Sequence, residues 1–258
     1  MEKLTVIKIG GNIINDEVAL NQFLIDFSKV EGKKILVHGG GKIATEVSKK
    51  LGVKTEMHEG RRITSKANLD VVVQIYAGLI NKNVVAKLQQ EGCNAIGLTG
   101  ADGNSILATK RPVKEVDFGF VGDVTAINTK SIHTLLSGEM TPVFCAITHN
   151  KEGQLLNTNA DTIASTIAAG MSDLYETELV YCFEKNGVLT DVNDDNSVIP
   201  IIDSAKYEEL KKEQIIHEGM LPKMENCFDA LQKNVSKVII GNANMFQNNS
   251  NVYTTLTL

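Results

Sequence analysis

Two glycine-rich segments near the amino terminus constrain the fold of this chain more than any other feature. They are KIGG at residues 8–11 and HGGG at residues 38–41, and each follows a short apolar run and precedes a helical pattern. This order predicts that both loops open at the carboxyl edge of a parallel sheet, where open α/β sheets bind ligands. Because glycine lets backbone N–H groups approach an anion closely, the pair predicts an anion-binding edge.

Strand and helix patterns alternate along the rest of the chain, which predicts an α/β fold with a mostly parallel sheet. Further strands are expected at 34–37, 94–98, 142–147, 178–183, 237–240 and 252–256, and helices at 16–30, 65–90 and 159–171. Short strands between 107 and 128 predict a hairpin or meander inserted over the sheet. The long helix over 65–90 has a broad apolar surface that suits a dimer as well as a core.

Composition narrows the classes of partner and compartment. The net charge of −5 comes without a long basic run, so nucleic acid is not an expected partner. Since neither a continuous apolar run of ~18 residues nor a signal segment is present, we expect a cytoplasmic protein that does not bind membranes. The four cysteines have no CxxC spacing and are expected to be buried free thiols, without a disulfide or a metal site; they are Cys93, Cys145, Cys182 and Cys227.

Several common phosphate-binding solutions are absent from the sequence. There is no GxxxxGK[ST] motif, and the triple glycine lacks the GxGxxG spacing of a dinucleotide fingerprint. The second strand ends in histidine and glycine where an oxidoreductase of the Rossmann type needs an acidic residue. The motifs of protein kinases are also missing.

Four charged side chains stand where this scheme places loops and strand ends. Lys8 lies in a buried strand, where a charge needs a partner, and the following glycines suggest a ligand; a solvated edge is the alternative. Arg62 is either a surface residue or a fork for a carboxylate. Asp161 is free to face the glycine loops once Asn159 caps its helix. Lys223 occupies a first helical turn, where a cation is unfavourable unless an anion such as a polyphosphate offsets it.

Taken together, these motifs resemble the amino acid kinase family, and within it the branch that acts on N-acetylglutamate. The markers extend over nearly the whole chain: KIGG at 8–11, HGGG at 38–41, GRRIT at 60–64, LLNTNAD at 155–161, KNGVL at 185–189 and GMLPK at 219–223. The resemblance implies a three-layer αβα sandwich. Residues 1–170 would form an N-lobe that binds the acylated amino acid and dimerises, and residues 171–258 a C-lobe that binds ATP.

The resemblance also implies the reaction, transfer of the ATP γ-phosphate to the γ-carboxylate of N-acetyl-L-glutamate, and a set of site residues. The catalytic group would be Lys8, Gly11, Asp161 and Lys223, with Asp161 holding both ammonium groups. The acylglutamate would contact Gly40, Gly41, Arg62 and Asn157. The nucleotide would contact Gly10, Gly11, Lys185, Asn186, Gly187, Val188, Gly219 and Met220. Mg²⁺ would bridge the ATP phosphates without a direct protein ligand.

Two segments depart from the family pattern, FEKNG at 183–187 and HE at 217–218. Both departures affect the expected nucleotide contacts more than the expected phosphoryl transfer. Because the sequence begins directly at the first strand, it resembles the homodimeric members of the family that arginine does not inhibit.

Three alternatives stay open at this point. The substrate could be another N-acylglutamate, such as N-succinylglutamate. It could be carbamate, uridylate, aspartate or free glutamate, although the Gly-x-Arg-x-Thr segment at 60–64 favours an N-acylglutamate. The chain could also be a non-catalytic sensor of ATP or an amino acid, which would not need Lys8, Asp161 and Lys223 together.

Overall fold

An eight-stranded sheet forms the centre of the fold in a computed structural model, which describes residues 1–216, 220–246 and 252–258. The strands are β1 Lys3–Ile9, β2 Lys33–His38, β3 Glu56–His58, β4 Arg61–Ile63, β5 Ala95–Leu98, β6 Ile106–Lys110, β7 Gly122–Ile127, β8 Thr141–Cys145, β9 Ile147–His149, β10 Leu155–Asn157, β11 Glu176–Phe183, β12 Ile201–Ile202, β13 Lys237–Asn242 and β14 Thr254–Leu256. The helices are α1 Gly11–Asn15, α2 Glu17–Ser28, α3 Gly41–Lys50, α4 Lys66–Val73, α5 Asn81–Gln90, α6 Thr129–Ser137, α7 Ala160–Met171, α8 Ser204–Lys212 and α9 Leu221–Gln232.

The strand order of the large sheet is β12-β14-β13-β11-β1-β2-β8-β5. All neighbours run parallel except β13 and β14, which confirms the predicted mostly parallel sheet. Strands from the amino-terminal part of the chain lie on one side of the β1–β11 junction, and those from the carboxyl-terminal part on the other. The predicted lobe boundary at residue 170 falls in the last turn of α7, just before the chain enters β11.

Strand β1 is buried on both faces. Its residues Leu4, Val6, Ile7 and Ile9 have no exposed surface, and the polar residues between them are buried as well. A strand that is covered on both faces needs helices on each side of the sheet. Helix α7 packs on one of these sides, against β1, β2 and β11. The arrangement confirms the three-layer α/β fold.

Two smaller sheets stand beside the large one. The order β10-β9-β6-β7 forms a four-stranded sheet, and β3 and β4 form a hairpin. This confirms the short strands expected between 107 and 128. The strand predicted over 142–147 is interrupted at Ala146, whose carbonyl accepts a hydrogen bond from Thr158 N at 3.1 Å; β8 continues the large sheet, whereas β9 joins the small one.

The predicted long helix is present and contains an unusual segment. Ser65 caps it by accepting a hydrogen bond from Asn68 N, and helical structure continues from Lys66 to Gln90 through a π-helical stretch, Gln74–Ile80. By length and composition alone this helix could cross a membrane, but core helices of soluble proteins meet the same criterion. Its buried residues belong to the main hydrophobic core; they include Val72, Val84 and Leu88.

His38 ends β2 and is completely buried. Its Nδ1–H donates to Gly39 O at 2.8 Å, and its Nε2 accepts from the Asn81 amide at 3.1 Å. Burial lowers the pKa of His38 from the ordinary 6.5 to about 4, and the hydrogen bond to Gly39 opposes that effect only in part. The imidazole is therefore neutral in the fold, where it braces the start of the glycine loop.

The His38 imidazole makes the stability of the protein depend on pH. As pH falls from about 6.5 towards 4, the unfolded chain gains a proton at His38 that the folded chain excludes, so the free energy of unfolding decreases by roughly 3 kcal/mol across this window. Urea unfolding at about pH 7 and about pH 5 should show the decrease, and His38→Asn should make it smaller. The control is His58→Asn, which removes an imidazole that is exposed and not buried. Identical pH dependence in both variants would contradict the assignment.

Candidate active site

The two glycine loops lie side by side at the carboxyl edge of the sheet. Ile9 of β1 is paired with His38 of β2 in parallel register, so the loops that follow these strands are neighbours, as predicted. Gly10 N donates to Cys182 O at 3.0 Å, which ties the first loop to β11 on its other side. Gly11 then begins α1, and its backbone N–H is one of the unpaired donors of a helix start.

A buried ion pair joins Lys8 to Asp161. Lys8 Nζ lies 2.7 Å from Asp161 Oδ1, and the two side chains are only 11% and 15% exposed. Asn159 caps α7 by accepting hydrogen bonds from Asp161 N and Thr162 N, which confirms the predicted cap and leaves the Asp161 carboxylate free for Lys8. The sequence suggested a ligand as the partner of Lys8. The structure provides a carboxylate of the same chain instead, so the burial of Lys8 does not by itself require a ligand.

Lys223 approaches the same point from α9. Its Nζ lies 3.9 Å from the centroid of the Phe183 ring, and Lys8 Nζ lies 5.2 Å from the same centroid. Burial lowers the pKa of Lys223; the negative charge of Asp161 opposes this effect, and the positive charge of Lys8 adds to it. In the part of the chain that the structure describes, Asp161 forms an ion pair with Lys8 and none within 4.0 Å with Lys223. The expectation that one carboxylate holds both ammonium groups is met for Lys8 alone.

The second glycine loop has different surroundings. Gly40 has a φ of +154°, and a Cβ at this position would lie 2.3 Å from Ile80 Cδ1 in the π-helical segment. Glycine is therefore favoured here by the positive φ, and a Cβ would also have to displace the Ile80 side chain. Arg62, from β4, is buried and donates hydrogen bonds to Gly41 O at 2.9 Å and to Thr45 Oγ1 at 2.7 Å. A guanidinium thus lies directly against the second loop.

A short strap, residues 118–120, connects the elements around Arg62 and Asn157. Thr64 N donates to Phe118 O at 2.9 Å, Phe120 N donates to Thr64 O at 2.8 Å, and Asn157 N donates to Phe120 O at 2.9 Å. The Asn157 amide also donates to Thr64 Oγ1 at 3.0 Å. Hydrogen bonds therefore link Gly41 with Arg62 and Thr64 with Asn157, in the region of Gly40, and these are the residues that the resemblance assigns to the acylglutamate.

The segment after β11 contains the residues predicted for the nucleotide. Lys185 Nζ lies 2.7 Å from Asp195 Oδ1, and the Asn186 amide donates to Asp195 O at 2.9 Å and accepts from the Asn242 amide of β13. Val188 is buried, and its N donates to Thr254 Oγ1 at 2.8 Å. A Cβ on Gly187 would lie 2.6 Å from the same oxygen. Met220 directly precedes α9, whereas Gly219 and residues 217–218 lie outside the described residues.

Comparison with known proteins identifies the family. The sequence profile of the amino acid kinase family matches residues 3–242. This chain belongs to the amino acid kinase family. It is 53% identical to an acetylglutamate kinase of Phocaeicola vulgatus over 93% of each chain, and 50% identical to one of Bacteroides thetaiotaomicron over 96% of each. A solved carbamate kinase from Giardia lamblia bound to AMP-PNP has the same fold, with a TM-score of 0.70, 16% identity and coverage of 99% and 98%.

Phe183 is the site residue of this amino acid kinase that sequence reasoning missed. The sequence predicts Phe183 at the end of the strand over 178–183 and as part of a departure from the family pattern, but it assigns the side chain no role, whereas the structure places its ring close to both lysines. The available signal was strand parity: Tyr181 is paired with Lys8, and Phe183, two residues further on, lies on the same face of the sheet. Using that signal requires the β1–β11 register, which is not visible in the sequence.

The Lys8–Asp161 pair should contribute much more to stability than exposed ion pairs do. Asp161→Asn leaves a buried ammonium without its counter-charge, and we expect the free energy of unfolding to fall by roughly 2 kcal/mol or more. The matched control is Asp195→Asn, which removes the ion pair between Lys185 and Asp195. The Asp195 side chain is 62% exposed, so the free energy of unfolding should fall by less than about 1 kcal/mol. Urea denaturation measures both. Equal losses in the two variants would show that burial of the Lys8–Asp161 pair adds nothing.

Proposed function

We propose that this chain is an N-acetyl-L-glutamate kinase, which transfers the ATP γ-phosphate to the γ-carboxylate of N-acetyl-L-glutamate and gives N-acetylglutamyl 5-phosphate for arginine biosynthesis. One observation carries the proposal: Lys8 and Lys223, from opposite halves of the chain, meet over Phe183 beside the first glycine loop. The relatives named acetylglutamate kinase, at 50 to 53% identity over nearly the whole chain, support the substrate.

The chemistry needs charge neutralisation more than proton transfer. The γ-carboxylate, with an ordinary pKa of ~4.3, is already ionised at neutral pH, so no general base is required. One carboxylate oxygen forms a bond to the γ-phosphorus, the bond from that phosphorus to the β,γ-bridging oxygen breaks, and ADP leaves with that electron pair. Because two anions must meet, Lys8 and Lys223 would offset the charge on the transferred group, and Asp161 would keep Lys8 in position.

The two glycine loops would bind different parts of the two substrates. Backbone N–H groups of Gly10 and Gly11 would face the phosphates, and those of Gly40 and Gly41 would face the acylglutamate. Arg62 would pair with the α-carboxylate, and Asn157 would add an amide contact. The positions of Arg62 against the second loop and of Lys8 before the first support this division. The adjacent register of β1 and β2 would align the carboxylate with the γ-phosphate.

The nucleotide would lie along residues 185–188 and the start of α9, with contacts from Lys185, Asn186, Gly187, Val188, Gly219 and Met220. Mg²⁺ would be held by the phosphates and water. Two acids lie near the lysines: Asp161 is paired with Lys8, and the charge of Glu184 raises the pKa of Lys223. Across the described residues, no group of three or more His, Cys, Asp or Glu side chains could hold a metal ion by itself.

Assembly and location are part of the same proposal. The N-lobe would comprise residues 1–170 and the C-lobe residues 171–258, with the sheet dividing between β1 and β11. The long helix presents Leu79, 51% exposed, on its outer face, and this face would pair two copies into a homodimer. We place the enzyme in the cytoplasm, without nucleic-acid or membrane partners.

Trapping of the acyl phosphate with hydroxylamine tests the function. The purified protein is given ATP and Mg²⁺ with N-acetyl-, N-succinyl- or free L-glutamate, and the hydroxamate is measured. We expect the highest kcat/KM with N-acetylglutamate. Preference for the succinyl compound would change the acyl group but keep the reaction, whereas preference for free glutamate would overturn the substrate assignment. No product with any of the three would favour a non-catalytic sensor.

Arg62 should determine the affinity for the acylglutamate. Arg62→Lys keeps the charge but loses the fork that contacts Gly41 and Thr45, so KM for N-acetylglutamate should rise about tenfold or more while KM for ATP changes by less than about twofold. Steady-state kinetics with each substrate varied in turn measures both constants. The neighbouring Arg61 is exposed, and Arg61→Lys serves as the control with unchanged constants. A large rise in KM for ATP would instead assign Arg62 to the nucleotide or to the fold.

A further inference from the structure

We infer that Phe183 is a positioning residue that holds the Lys223 ammonium beside Lys8, ready for the transferred phosphoryl group. The inference rests on the proposed kinase function, to which it adds a residue whose side chain has no ionisable or hydrogen-bonding group. Its starting point is the single aromatic ring shared by two ammonium groups, with Lys223 Nζ at 3.9 Å and Lys8 Nζ at 5.2 Å from the centroid.

Lys223 has mixed surroundings for a cation, because burial and the nearby Lys8 charge lower its pKa whereas the charges of Asp161 and Glu184 raise it. It lies in the first turn of α9, at the positive end of the helix dipole, and Lys8 is a like charge nearby. The carboxylate of Asp161 lies close to Lys8 and is not within ion-pair distance of Lys223 in the described part of the chain. The face of an aromatic ring carries partial negative charge, so Phe183 adds a short-range attraction to an ammonium that has no ion pair within 4.0 Å among the described residues.

The ring itself is held firmly in place. Phe183 stacks on Tyr181 with centroids 5.8 Å apart and an angle of 4° between the planes. The Tyr181 hydroxyl donates to Asp161 O at 3.1 Å, and Tyr181 is the strand partner of Lys8. The aromatic pair therefore connects the Lys8–Asp161 ion pair to Lys223, because Tyr181 bonds the Asp161 backbone and Phe183 contacts Lys223.

A fixed ring gives Lys223 one preferred position over Phe183 instead of many solvated ones. Long lysine side chains lose substantial rotamer entropy when they are ordered, and ordering before the reaction lowers the barrier that the chemical step must cross. The phosphoryl group would then meet two cations that are already in place. Loss of the ring should therefore lower kcat, while KM for the acylglutamate, whose site lies at the second loop, should stay the same.

The test compares two substitutions of Phe183. Phe183→Leu keeps an apolar side chain but removes the π face, and kcat should fall roughly tenfold. Phe183→Tyr keeps the π face and should stay within about twofold of wild type. In a Lys223→Ala background, Phe183→Leu should cause no further loss, because the ring acts through Lys223. Wild-type kcat in Phe183→Leu, equal losses in the Leu and Tyr variants, or additive losses with Lys223→Ala would each overturn the inference.

A control variant separates positioning from general packing. Phe27 of α2 is a buried ring, and Lys34 Nζ lies 5.3 Å from its centroid. Lys34 stands at the amino-terminal end of β2, opposite to the end that carries the glycine loop. Phe27→Leu should lower the free energy of unfolding, as Phe183→Leu does, without changing kcat. A fall in kcat in both variants would assign the effect to packing.

A spectroscopic measurement keeps the inference testable independently of activity. The ring current of Phe183 should shift the ε-methylene protons of Lys223 upfield, and NMR can detect this shift in wild type and in Phe183→Tyr. The signal is assigned by its loss in Lys223→Arg, and Phe183→Leu should return it to the ordinary lysine position. A wild-type protein without an upfield-shifted lysine overturns the inference, whereas the shifted lysine together with no acyl phosphate product overturns only the proposed kinase function.

Discussion

The ion pair between Lys8 and Asp161 is the interaction on which the rest of the site depends. Lys8 lies in β1, the strand covered on both faces, and a charged group in that environment is tolerated only with a close counter-charge. Asp161 reaches it because Asn159 begins α7 at the right place. The pair therefore fixes the position of a helix against the middle of the sheet, at the junction where strands from the two ends of the chain meet. Lys8, one of the two cations of the proposed mechanism, is thus also part of the core.

The two glycine loops resemble each other in sequence but differ in their surroundings. The first loop is bounded by Lys8, by β11 and by the aromatic pair that ends in Phe183. The second is packed against the π-helical segment and contacts Arg62 through the Gly41 carbonyl. Their shared glycine content therefore serves two needs, access of backbone donors to an anion in the first and close packing of a helix in the second. This difference agrees with separate roles for phosphate and acylated amino acid.

Local signals in the sequence predicted much of the fold, because caps, alternation and glycine turns act over a few residues. The capping role of Asn159 and the long helix after Ser65 are examples. The motifs also placed Lys8, Asp161 and Lys223 at one edge and paired Asp161 with both lysines, but the structure has the ion pair with Lys8 alone, because the distances depend on strand order and register. The Phe183 ring is invisible to such reasoning, since its role arises only when β11 lies beside β1. The interruption at Ala146 was missed for the same reason, because a distant residue, Thr158, takes the carbonyl that a continuous strand would have used.

The position of β1 in the sheet has a consequence for synthesis of the chain on the ribosome. The first strand made is also a central one: β2 covers one of its edges early, but its other edge pairs with β11, which ends at residue 183. While the residues between β2 and β11 are being synthesised, one edge of β1 has no partner strand, and Lys8 lies on that strand without its final neighbours. Unpaired apolar strand edges are prone to pair with other chains. The nascent amino-terminal half is therefore the stage at which mispairing of this edge competes most with folding, and completion of β11 covers the edge.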